Sequence, residues 1–222
     1  AIAKGTNADK YMMSLTKDSF NVTSKNYSNL KVVVNDGSLV INKRPVTFTG
    51  ETAEKTYNTK EQEITGITVS KTGGESDIVA GQEYSGLAYS AKGTDAGTYD
   101  GAFTGEVVIK AGNDDVTSNY KVTKDPGKLT IKPIADEVLV TITGETAEKT
   151  YNGAEQSVEG FKYTATIGEG ETQQNVKGEV NAALKEGNTA EAKGTNASAD
   201  KYMMGLTKDS FNVTSKNYSN LK

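Results

Sequence analysis

The sequence predicts a mostly β protein, built as a tandem row of β-sandwich units, and three observations carry that expectation. Runs such as "PVTFT" and "LVTIT" alternate β-branched or aromatic residues with their neighbours and stop at Gly50 and Gly144, the pattern of a half-buried strand bounded by a turn. Gly is abundant (23), and Tyr (11) outnumbers Phe (5), a mix that suits short strands and tight turns rather than helices. Whole segments also recur in a fixed order, as they do in repeat architectures.

Taken in order, the recurring segments define one unit. "TGETAEKTYN" stands at residues 49–58 and again at 143–152. "AKGTDAGTYDGAF" at 91–103 aligns without gaps to "AKGTNADKYMMSL" at 3–15, and returns as "AKGTNASADKYMMGL" at 192–206. "DSFNVTSKNYSNLK" occupies both 18–31 and 209–222, letter for letter, and the pair Asn-Tyr stands at 26–27, 119–120 and 217–218. Two segments close a unit, "NDGSLVINKRP" at 35–45 and "DPGKLTIKP" at 125–133. Each reads as a hairpin, with its turn at Asn35-Asp36-Gly37 or Asp125-Pro126-Gly127 and with Leu39/Ile41 or Leu129/Ile131 on one face. "KYMMSL" and "TYDGAF" fit a further strand.

Only residues 46–134 contain every part. Residues 1–45 read as the C-terminal half of a preceding repeat, and 135–222 as a repeat lacking its last hairpin. The chain is thus expected to come from a longer tandem array whose outer units are cut. Short strands at regular spacing point to an immunoglobulin-like sandwich. A β-grasp-like sheet with one short helix is the alternative, since residues 179–194, "EVNAALKEGNTAEAKG", have room for a helical turn or two.

Composition narrows the chemistry. The chain holds no Cys, His or Trp, so zinc, copper and non-haem iron sites lose their usual ligands, and His-based triads and Cys nucleophiles are excluded. Formal charge is −4, with one Arg (Arg44) among 25 basic residues. That balance offers no clustered, Arg-rich surface for nucleic acid. No apolar run approaches the roughly 20 residues that span a bilayer. Carboxylates abound in "GESD", "GEGE" and "KEQE", but none sits among aromatics that would raise a pKa or hold a sugar. No enzyme and no cofactor is expected. "GNDDVTSN" at 112–119 lacks the alternating rhythm of a calcium loop and reads as a polar turn.

The order "V-T-I-T-G…K-T-Y-N-G", "G-T-D-A-G-T-Y" and "S-N-Y-K-V…G-K-L-T-I-K-P" resembles the MBG-type repeat domains of bacterial surface proteins. In residues 7–11 "DAGTY" becomes "NADKY", so the flanking units are divergent members. The resemblance implies an extracellular, surface-anchored protein of the adhesin type and no catalytic activity.

Two function classes follow. A stalk would use the repeats to project a binding region, with Pro45 and Pro133 stiffening the junctions. A multivalent adhesin would bind a host glycan or matrix protein through variable loops, foremost 70–83, where Ser70, Lys71, Glu75 and Asp77 are the candidate ligand residues. Tyr57 and Tyr151 of "KTYN", with Tyr27, Tyr120 and Tyr218 of "NY", are expected to be structural, ring inward and hydroxyl bonded to the scaffold. Residues 1–45 of one chain, carrying a spare closing segment, are expected to complete residues 135–222 of another, because open sheet edges recruit strands.

Overall fold

A computed structural model describes every residue except 71–73, 75, 76 and 199. The protein is mostly β, 44% strand and 7% helical, the helical part consisting of single three-residue 3-10 turns. The strands form several small sheets rather than one large one. The chain divides into two compact units. One gathers Ala1–Ala53, Glu63–Lys92 and Tyr99–Leu129; the other gathers Glu54–Gln62, Gly93–Thr98 and Thr130–Lys222.

In the first unit the alternating run Arg44–Gly50 forms a strand whose Val46, Phe48 and Gly50 are buried, as its period-two pattern dictates. It pairs in parallel with Tyr120–Asp125 and antiparallel with Ile67–Thr68. Strand Gln82–Ser85 pairs with Val108–Ala111, which turns back into Asp114–Asp115. Val46, Phe48, Ile78, Val107, Ile109 and Tyr120 form the core, and Phe48 meets Tyr84 edge to face at 4.8 Å. Such an aromatic pair adds about 1 kcal/mol to simple area burial.

In the second unit Ile134–Gly144 plays the part of Arg44–Gly50. It pairs antiparallel with Phe161–Ile167 and in parallel with Tyr218–Leu221, with a register shift between Ile134 and Glu137. Asn181–Leu184 pairs with Phe211–Thr214, and Gln156–Glu159 with Glu191–Gly194. The stretch 179–194 therefore carries two strands, where the sequence left room for a helical turn or two. Each finds a partner across a ladder, and that tertiary context overrides a weak local preference.

The closing segments also differ from expectation. Asp125-Pro126-Gly127 joins Tyr120–Asp125 to Lys128–Lys132, but the two strands lie in different sheets, so the turn makes an arch and no hairpin. Lys128–Lys132 instead lies between Ala53–Thr56 and Gly97–Asp100, with Leu129 and Ile131 fully buried. Gly127 is required at the arch: a Cβ there would stand 2.1 Å from the Glu51 carbonyl oxygen, a backbone atom with nowhere to go. Likewise Ser38–Val40 pairs with Lys10–Met12 rather than with the residues just before it.

Identical sequences take different structures. Residues 209–222 form strands Phe211–Thr214 and Tyr218–Leu221, whereas the same letters at 18–31 hold one 3-10 turn and no strand. "TGETAEKTYN" gives strand Ala53–Thr56 in its first copy and no strand over 145–152 in its second. Where the copies differ, so do their neighbours. Asn181–Leu184 and Ile134–Gly144 lie beside the folded copy of the fourteen residues, and Lys128–Lys132 lies beside the folded copy of the ten.

Candidate functional site

Two of the three Asn residues that precede the recurring Tyr, Asn119 and Asn217, bond to a segment distant in the sequence. Asn217 is 2% exposed. Its side-chain oxygen accepts from the Ala96 N–H at 2.7 Å, and its amide donates to Glu179 Oε2 at 2.7 Å and to Asp95 Oδ1 at 3.2 Å. Asp95 and Ala96 belong to the "K-G-T-D-A" segment of the middle repeat, while Glu179 and Asn217 belong to the last. The Ser215 hydroxyl accepts from the backbone N–H groups of Asn217 and Tyr218, presetting the side chain in a local turn.

The same latch occurs a second time. Asn119 accepts from the Ala8 N–H at 2.7 Å, and its amide donates to Asn7 Oδ1 at 3.0 Å. Asn7 and Ala8 align with Asp95 and Ala96. Each latch lies within one compact unit. Asn26, the third copy, is exposed.

A tyrosine pair extends the Asn217 latch. Tyr57, from "KTYN" of the middle repeat, meets Tyr218 of the last edge to face at 6.1 Å. Burial, then the Glu179 carboxylate, Tyr218 and Asp95, push the Tyr57 phenol above its ordinary range. Burial and Glu179 push Tyr218 the same way. Each of these neighbours makes a phenolate costlier than a phenol. Tyr120 donates to Gln82 at 2.5 Å and accepts from the Val79 N–H at 3.1 Å. The five repeat tyrosines thus fall into two sets: Tyr57, Tyr120 and Tyr218 are buried, while Tyr27 (74%) and Tyr151 (61%) are exposed. The Asn and the Asp-Ala or Asn-Ala pair escaped sequence reasoning, although their recurrence beside "NY" and "KGT" was the available signal.

Of the loop candidates, Ser70 accepts the Ile78 N–H through its carbonyl. The Asp77 carboxylate accepts from the Gly74 N–H, and its carbonyl accepts from Arg44 Nε at 2.6 Å. These bonds hold the ends of the loop, with Ile78 fully buried. Lys71 and Glu75 lie outside the described residues. In "GNDDVTSN", Asp115 accepts the Thr117 N–H, and that bonding to the Thr117 side chain and backbone draws its carboxyl below the usual range. Among the described residues no three carboxylates gather where they could hold a metal ion, and no helix is long and apolar enough to cross a membrane.

A cleft of about 1140 Å³ lies in the last repeat, walled by Val140, Ile142, Val158, Met204, Leu206 and Phe211 and bordered by residues 144–149. Val140, Ile142 and Val158 are half-buried, whereas their counterparts Val46, Phe48 and Ile64 are buried.

No protein-family model, no curated protein and no solved structure matches this chain.

Proposed function

We propose that this chain is a non-catalytic repeat segment of a bacterial surface protein, outside the cell, acting as a stalk of tandem sandwich-like domains of MBG type that projects a binding region. The observation that carries the reading is the latch used twice with equivalent residues, Asn119 on Asn7 and Ala8, and Asn217 on Asp95 and Ala96. A spacer needs each repeat to be held by its neighbour in the same way at every junction, so that stability and stiffness accumulate along the row. A module that binds separately at each repeat needs instead a recurring exposed site. Among the described residues Tyr120 and Tyr218 are buried, and Asn119 and Asn217 are bonded to distant segments rather than presented outward.

Small-angle scattering of the full chain tests the mechanical half of this reading. The double variant Asn119→Ala/Asn217→Ala is expected to loosen each unit internally and so broaden the distribution of dimensions; an unchanged profile would count against the latches as stiffeners. Binding to a panel of glycans, mucin and matrix proteins tests the other half. No saturable binding is expected. Saturable binding that is lost when residues 70–83 are replaced would exchange the stalk for an adhesive module acting through that loop.

A further inference from the structure

We propose that the cleft in the last repeat is a receptor for an added strand of the pattern Gly-x-Leu-x-Ile, and that in a solution of this chain residues 37–41 of a second copy supply it. Three observations support this. In the middle repeat the equivalent place is filled: Lys128–Lys132 lies beside Ala53–Thr56, with the Lys128 N–H donating to the Thr52 hydroxyl and the Tyr57 N–H donating to the Lys132 carbonyl at 2.9 Å. Leu129 (0%) and Ile131 (1%) are fully buried there.

The last repeat carries the identical acceptor, "TGETAEKTYN", with no such strand beside it among the described residues. There residues 145–152 form no strand, Tyr151 is 61% exposed, and the inner face of Val140, Ile142 and Val158 opens on the cleft. An apolar slot beside a backbone segment that belongs to no sheet is the arrangement that strand addition exploits.

The chain also carries the donor. Ser38–Val40 pairs with Lys10–Met12 along one edge, in a sheet of only those two strands. Its Leu39 and Val40 remain 39% and 56% exposed. "GSLVI" at 37–41 matches "GKLTI" at 127–131 residue for residue in its Gly, Leu and Ile. Transferring the observed register places Leu39 in the cleft where Leu129 lies in the middle repeat. The Ser38 N–H then meets the Thr146 hydroxyl, and the Tyr151 N–H meets the Asn42 carbonyl. The ladder is parallel, and residues 146–151 become a strand.

The test uses the full chain and one synthetic peptide, residues 125–133 (DPGKLTIKP). Sedimentation velocity across a wide concentration range reads self-association, and polarisation of the labelled peptide reads the slot. Hydrogen exchange at the Tyr151 amide reports the ladder directly. Expected are concentration-dependent association, saturable peptide binding that competes with it, and slowed exchange at Tyr151 in both complexes. The variant Leu39→Asp changes an exposed donor residue and leaves the slot intact. It should weaken self-association at least about tenfold while binding the peptide as the parent chain does, the effect of placing a charge in an apolar site.

Absence of peptide binding overturns the slot. Peptide binding by a chain that sediments as a monomer throughout overturns the second copy as its occupant. Self-association undiminished in Leu39→Asp overturns residues 37–41 as the donor.

Discussion

Replacing the latch asparagines by alanine, one at a time, should give three different costs from one side-chain change. Asn217 is buried and makes three side-chain hydrogen bonds, two of them to carboxylates. A neutral bond contributes about 1 kcal/mol net and one to a charged group about 1.5–3. The 3.2 Å contact to Asp95, whose side chain is about half exposed, belongs at the low end. Water re-entering the gap recovers part of the total, so Asn217→Ala should cost about 2–3 kcal/mol, or roughly 30- to 150-fold in the equilibrium. Asn119 is only half-buried and makes two neutral bonds, which sets its cost at about 1 kcal/mol. Asn26 is exposed, and its replacement should fall within about 0.5 kcal/mol of zero.

Urea unfolding fitted with separate transitions for the two units supplies the free energies. Hydrogen exchange supplies the locality: the Ala96 amide should lose protection only in Asn217→Ala, and the Ala8 amide only in Asn119→Ala. Equal costs at residues 119 and 217, or a cost above about 1 kcal/mol at residue 26, would refute the assignment of these residues as junction latches.

Further predictions rest on other features. Gly127→Ala drives a Cβ to within 2.1 Å of the Glu51 carbonyl oxygen, and thermal melting should register a loss of about 2–4 kcal/mol, at or beyond the usual range for overpacking because a backbone atom is struck. Leu129→Ala empties a fully buried site and should cost about 3–5 kcal/mol, while Leu39→Ala, on an exposed strand, should cost under about 1. A small cost at Leu129 would contradict the buried strand. Alkaline titration should be asymmetric. Tyr57 and Tyr218 have folded-state pKa values above the ordinary value near 10, so their contribution to stability is complete below about pH 10 and is lost as pH rises through the higher folded values. Tyrosinate absorbance should therefore appear late for these groups, with Tyr57→Phe removing part of the late phase. A single unshifted tyrosine titration would refute it.

Much of the local structure was legible in the sequence because strand signals are local. The alternation in 44–50 placed Val46 and Phe48 on the buried face, and the turn residues marked where strands stop. The recurrence of "NY" and "KGT" was visible in the sequence, but that the Asn and the Asp-Ala or Asn-Ala pair are partners to one another required the fold. The turns at 35–37 and 125–127 were misread as hairpins because a Gly-containing turn sets a change of direction, not which strand the chain will pair with next.

Amphipathic pattern, turn positions and the repeat order were therefore determined by sequence alone. Tertiary structure alone decided whether a given segment becomes a strand at all. Residues 18–31 and 209–222 are identical, yet Tyr27 is 74% exposed and Tyr218 is 5% exposed. A strand's backbone hydrogen bonds are made to another segment, so its stability resides in the pair. Where Ile134–Gly144 and Asn181–Leu184 supply the partners, those fourteen residues fold into strands; without such neighbours the same residues remain outside any sheet.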